Sequence, residues 1–182
     1  METSCVRECE TMFSDTVNML FAVEQTFVGF SAFCKNQNTA YDGFANYFHV
    51  CSIWTREAKG KLIDRLTTCG GRLRLTEMKP MYQFPLPEDT SITTLLQMSL
   101  DMERCVEQQF KSLLKFANER ETIPVQEFAR EMLVGHADCI AHLVRHLEST
   151  KSSESVYLYD RMTMQPLVDK YERHQGSHDF HY

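Results

Sequence analysis

Apolar positions along the chain recur in alternating steps of four and three. Phe13, Val17, Leu20, Glu24, Phe27, Ser31 and Cys34 form one such series, and Phe44, Phe48, Cys51, Thr55, Ala58 and Leu62 form a second. A third runs through Ile92, Leu96, Ser99, Glu103, Val106, Phe110, Leu113 and Ala117; a fourth is marked by Leu133, His136, Ile140, Leu143 and Leu147. Such spacing lines up side chains on one face of an α-helix, so the pattern predicts four long amphipathic helices. KNQNTAYDG breaks the first from the second, which begins near Tyr41 and ends at Gly70-Gly71, as helices often end at glycine. The third is expected to start around residues 87–90, where Glu88 and Asp89 suit the positive end of a helix. SSESVYLYDRMTM predicts a short fifth segment, and no strand-like alternation or internal repeat is present.

Residues 71–89 join the second and third helices and carry Pro80, Pro85 and Pro87. A connection of that length inside a compact domain is uncommon. Here it serves to return the chain along the bundle, so that the third helix runs parallel to the second. The expectation is an all-α fold: one four-helix bundle domain over residues 1–166 with a long crossover, followed by a polar, flexible tail over 167–182.

Composition narrows the partners. The chain has 182 residues, 43% hydrophobic and 24% charged, which is enough for a real core. Its formal charge of −6, without a basic block, argues against nucleic-acid binding. The opening METSCVRECETMFS lacks the form of a signal peptide, and the reading expects no membrane span and a cytoplasmic protein. Seven cysteines without a C-x-x-C pair suggest reduced, packed thiols. Cys5 and Cys9, one turn apart, are read as surface thiols before a soft-metal pair.

Three polar residues stand on apolar stripes. Glu103 sits among Leu96, Ser99, Val106 and Phe110; it is either a paired, protonated or cation-bound carboxylate or a residue at the bundle edge. His136 is either a hydrogen-bonded core histidine or a ligand, and Glu24 is a weaker inward candidate. A single-metal enzyme built on Glu24, Glu103 and His136 is a third-ranked reading, because three ligands from three helices make a weak constellation. Asp138, His142 and His146, at helical spacing, read as a solvated face rather than a zinc site. His174, His178 and His181 read as part of a polar tail. Carboxylate-bridged di-iron bundles draw ligands from Glu-x-x-His on one helical face, and that motif occurs nowhere in the chain.

At this point the residues resemble a family. FANYFHVCSIWTREAKGKLIDRLTTCGGRL is similar to the second helix of eukaryotic ferritin subunits, with its FAKYF start, charged EEREH-like block and QRGGR end. LDMERCVEQQFKSLLKFA resembles the third helix, and SVYLYDRMTM resembles the YLFDKHTL segment that opens the short fifth helix. The resemblance covers roughly residues 7–165, in order, and implies a ferritin-like four-helix bundle with a short fifth helix and an oligomeric cage.

The resemblance also implies what the chain lacks. Ferroxidase ligand positions of the first helix fall on Leu20 and Phe27, and the Glu-x-x-His of the second falls on Thr55 and Ala58. Glu103 is retained, and the fourth-helix glutamine position falls on His136, within one residue of register. Glu57 survives from the acidic nucleation cluster of storage-type subunits, now beside Arg56, Lys59, Gly60 and Lys61. The acidic pair of the three-fold channel falls on Glu127 and Arg130, or on Gln126 and Ala129. The expected function is therefore a catalytically silent ferritin-family subunit, not an enzyme, with iron held weakly, if at all, by residual Glu103, His136 and Glu57. It would act in iron storage and homeostasis as a homo-oligomer or beside catalytic ferritin subunits, with no organic cofactor. The alternative is a structural or chaperone-like assembly without an iron role.

Overall fold

A computed structural model describes the backbone of residues 2–36 and 40–168, with side chains from Glu10 onward. The helices are α1 Glu2–Lys35, α2 Asp42–Thr68, α3 Ile92–Glu119, α4 Ile123–Ser152 and α5 Val156–Tyr159. α5 continues through a π-helical turn, Asp160–Met164, and on to residue 168. No strand occurs among the described residues. α1 packs along α2, α3 along α4, and α1 against α3, which is a four-helix bundle with a short fifth helix.

The stripe on α1 is buried throughout: Phe13, Val17, Leu20, Phe27 and Cys34 have essentially no exposed surface. Phe27, Phe30, Phe44 and Phe48 then form a contiguous aromatic cluster between α1 and α2. Segment Glu10–Lys35 is long and apolar enough, by length and composition, to cross a membrane; in this fold its apolar stripe packs into the bundle.

α2 closes where the glycine pair predicts. Gly71 N–H donates to Leu66 O at 3.0 Å and Gly70 N–H to Thr67 O at 2.9 Å, satisfying carbonyls the helix itself leaves free. This Schellman arrangement needs a left-handed residue, and Gly70 supplies it with φ of +74°. The opposite end is capped from a distance. Tyr41 contributes no side-chain cap; instead the buried Asp160 carboxylate accepts the N–H groups of Gly43 at 3.1 Å and Phe44 at 2.6 Å. A Cβ on Gly43 would lie 2.6 Å from Asp160 O, so glycine is what lets the fifth helix dock there.

The crossover is strung along α1 by side chains one turn apart at Glu10, Ser14 and Asn18, and again two turns on at Thr26. Arg72 N–H donates to Glu10, Arg74 N–H to Ser14, Thr76 N–H to Asn18 and Met81 N–H to Thr26. Two extended residues advance about 6.6 Å and four helical residues about 6 Å, so the two segments stay in step from Arg72 to Thr76. These bonds satisfy a backbone with no regular structure of its own.

α3 starts slightly later than residues 87–90, at Ile92, because the Ser91 hydroxyl accepts the Thr94 N–H at 3.1 Å and so fixes the cap. On α4 the inward face differs from the expected one. Val125, Phe128, Ala129, Met132, Leu143, His146, Leu147 and Thr150 are buried, whereas Leu133 and Ile140 sit half-buried at the edge. Beyond residue 166, Val168 is also buried in the core.

Candidate functional site

A half-open cavity of about 370 Å³ lies between α2, α3 and α4. Its wall includes Phe27 from α1; Tyr47, Cys51, Trp54, Thr55 and Ala58 from α2; and Glu103 from α3. His136, Cys139 and His146 of α4 complete most of it, and Leu167 closes the fifth-helix end. Glu57, Lys61 and Glu131 stand at an exposed rim, where Lys61 Nζ lies 3.5 Å from Glu131 Oε1. A pair so exposed contributes little to stability.

Inside, Glu103 is only 6% exposed, which removes the reading that places it at the bundle edge. His136 Nδ1 meets its Oε2 at 2.7 Å, and the imidazole also lies against the Phe110 ring. Two residues on different helices, each read singly, are thus one polar pair. Thr55 turns its hydroxyl back to Cys51 O at 2.9 Å, and Ala58 offers no polar atom. Burial pushes the Cys51 thiol well above its ordinary value and the Cys139 thiol up to about 12, with nearby Glu103 adding to both. Tyr47 is raised for the same reason, burial first. These groups are neutral protonated donors, poor partners for a hard cation.

Glu24 is the clearest correction to the candidate set. It does not join Glu103 and His136. It ion-pairs with Lys59, and with Arg56 at 2.8 Å, while Lys59 Nζ sits 3.5 Å from the centre of the Phe21 ring. Burial alone would raise the Glu24 carboxyl, but the two cations outweigh it and hold it below its ordinary value. The single-metal constellation of Glu24, Glu103 and His136 does not exist in this fold.

His146 is the second correction. Expected on a solvated face with Asp138 and His142, it is 5% exposed and belongs to the cavity wall, while Asp138 is exposed and His142 half-buried. Its Nδ1 lies 2.9 Å from the Tyr159 hydroxyl, and its ring packs edge-on against Tyr47. Nε2 is buried and has no hydrogen-bond partner among the described residues. Burial, assisted by His142 and Arg145, lowers its pKa to about 4, so the ring is neutral near pH 7. The signal was present in the sequence: Cys139, Leu143, His146 and Thr150 step by four, three and four.

Among the described residues no three His, Cys, Asp or Glu side chains converge as a ready metal site. Cys34, Cys51, Cys69, Cys105 and Cys139 are free thiols. The Cys5 and Cys9 side chains, and His174, His178 and His181, lie outside the described residues.

Comparison with known proteins places this bundle. The ferritin family profile, a ferritin-like domain, matches residues 12–153. The chain belongs to the ferritin family. Among curated ferritins it is 24% identical over 166 residues to Ferritin-2, chloroplastic, of Zea mays, covering 88% of this chain and 66% of that protein. It is 23% identical over 128 residues to Ferritin-3, chloroplastic, of Arabidopsis thaliana, covering 70% and 49% respectively. The middle subunit of Salmo salar ferritin is 24% identical over 165 residues, covering 86% of this chain and 92% of that one. The chain thus spans about half to two thirds of the plant ferritins it matches. As a ferritin it belongs to a family of iron-storage proteins that bind iron and assemble into cages.

Proposed function

We propose that this ferritin is a catalytically silent subunit, which serves cytoplasmic iron storage and homeostasis by building a cage, alone or beside catalytic subunits. The observation that carries the reading is the donor set of the intrahelical cavity. On the resemblance to ferritin subunits, Leu20, Phe27, Thr55 and Ala58 stand at ligand positions; Leu20 and Phe27 are apolar and buried, Ala58 has no donor atom, and Thr55 is engaged with its own helix. What remains inside is one carboxylate already paired to one imidazole, with His146 and His142 along α4 and two exposed rim carboxylates, Glu57 and Glu131, the latter paired with Lys61. Two metal ions bridged by carboxylates need several anionic oxygens, and the thiols beside them hold their protons. The residues do not fit a di-iron centre.

The surface chemistry leans the same way. Glu57 is exposed beside Arg56, and Lys61 at the same rim is paired with Glu131, so cationic neighbours oppose ferric accumulation there. Glu127 and Arg130, the exposed candidates for the channel pair, carry opposite charges and do not combine to draw cations inward.

The test is native mass spectrometry of the purified chain after ferrous iron in air, with oxygen uptake followed in parallel. A cage-sized assembly with no oxygen uptake above buffer supports the reading. Rapid uptake that Glu103→Ala abolishes overturns it, and a persistent monomer or dimer removes the cage.

A further inference from the structure

His146 of α4 is packed between α2 and α5 in a way that leaves its ring no means of carrying a charge in place. Nδ1 meets the Tyr159 hydroxyl of α5 at 2.9 Å, the ring stands edge-on to Tyr47 of α2, and Nε2 is buried without a hydrogen-bond partner among the described residues. In an imidazolium both nitrogens are donors. Nδ1–H would still find the Tyr159 oxygen, but Nε2–H would find no acceptor. A buried charged donor without an acceptor is among the costliest arrangements a core can hold.

The neighbouring groups offer no compensation. On α4 itself His142, whose ring centre is 6.5 Å away, and Arg145 both oppose a further positive charge. From α2, Tyr47 and Cys51 keep their protons, since burial raises both. Glu103 of α3 is held by His136, and Asp160, next to Tyr159, commits its carboxylate to the Gly43 and Phe44 N–H groups, with Asp42 and Arg161 beside it. Proton uptake at His146 therefore requires that Nε2 reach water, and one of the two elements over it must yield. α2 is fixed along α1 by its buried stripe. α5 is four residues long, and none of them is buried. α5 is the element that gives.

We propose that α5 is an acid-released latch: proton uptake by His146 lifts Val156–Tyr159 off α4 and admits water to the end of the cavity where His146 stands, while the π-helical turn Asp160–Met164 stays on α2 as the hinge. Release gives up the Tyr159 contact with His146 and its stacking on Phe44. The hinge is the better-anchored half, because Met164 and Asp160 are fully buried and Asp160 caps α2. The two halves also answer acid in opposite senses. Burial raises the Asp160 carboxyl, so acid favours its docked state. The His146 ring is lowered to about 4 against an ordinary 6.5, so acid favours the state that exposes it. The ratio of released to docked α5 then rises about twentyfold from pH 7 to pH 5. The latch belongs to the single subunit and rests on neither iron nor cage assembly.

Two amides report on the latch: Leu158 N–H, bonded to Ser155 Oγ at 3.3 Å, and Tyr159 N–H, bonded to Ser155 O at 3.1 Å. A helix of four residues does not persist without its packing, so release and loss of these bonds coincide. Gly43 and Phe44 N–H report on the hinge. Hydrogen exchange of the full chain, read by mass spectrometry at pH 7 and pH 5 and corrected for the intrinsic pH dependence of exchange, compares the two. Protection at Leu158 and Tyr159 should fall about twentyfold at pH 5 while that at Gly43 and Phe44 holds. His146→Phe keeps a ring and removes the proton site, so the fall should vanish in that variant. Equal protection of Leu158 and Tyr159 at the two pH values overturns the latch. A fall of the same size at Gly43 and Phe44 overturns the hinge, and an unchanged fall in folded His146→Phe overturns the role of His146. The pH comparison needs no variant, so a misfolded substitution cannot shield the proposal.

Discussion

Glu103 on α3 and His136 on α4 meet at 2.7 Å in the centre of the bundle, thirty-three residues apart in sequence. Each relieves the other of burial: the carboxylate gains a donor and the ring a fixed orientation against Phe110. In a member of an iron-binding family, this pair fills the polar space inside the bundle with a bond internal to the protein.

Breaking it from either side should therefore destabilise by about 1–3 kcal/mol, since the remaining group stays buried without its partner. Urea unfolding of Glu103→Leu, His136→Leu and the double variant tests this. The double variant should lose less than the sum of the singles, with a coupling of about 1 kcal/mol or more. Additive losses would show that the two side chains do not interact.

Lys59 is 7% exposed, and the ion pair with Glu24 is what makes its burial tolerable. Glu24→Gln should cost about 3 kcal/mol by leaving an ammonium uncompensated, and Lys59→Met added to it should restore much of the loss. Acid should act on the same pair. The Glu24 carboxyl is lowered in the folded state, so its contribution is present above about pH 4.3 and is lost as pH falls through the lower folded value. A variant carrying both substitutions should lack that acid-sensitive component in chemical denaturation.

His146 titrates in a separate window. Its folded pKa is about 4 against an ordinary 6.5, so between these values the unfolded chain binds the extra proton. Stability is full above pH 6.5 and falls as pH drops toward 4, by about 2 kcal/mol between pH 7 and pH 5 at that one residue. Denaturant midpoints at the two pH values check the slope, and His146→Gln should flatten it. A slope unchanged in that variant would place the proton elsewhere.

Gly70, at φ +74°, should tolerate alanine poorly, with a loss of about 1 kcal/mol from backbone strain alone. Gly60, inside α2 with open space around its Cβ, should behave in the opposite way and gain roughly 0.5–1 kcal/mol with alanine. Thermal midpoints of the two variants should move in opposite directions.

Most of the fold was legible before any coordinates. Alternating steps of four and three marked the α1, α2 and α3 faces, and the Gly70-Gly71 pair marked the α2 terminus to within two residues. The α4 face was less legible because Leu133 and Ile140 are as apolar as the residues that turned inward, and a helix drifts by about 20° per heptad against any fixed stripe. That drift carries His146 into the core and leaves Leu133 at the edge. The early α3 start was read from acidic residues, whereas the Ser91 hydroxyl sets it.

The sequence by itself determined the architecture and the chemistry withheld from it: four amphipathic helices, a long crossover, and no Glu-x-x-His on any of them. These follow from local spacing and from side-chain identity, which need no knowledge of neighbours. Only the tertiary structure decided how the remaining charges are used. Glu103 found His136, Glu24 found Arg56 and Lys59, and Asp160 capped a helix 116 residues away. Each of those pairings depends on the rotation of one helix against another, which is set by packing of the whole core.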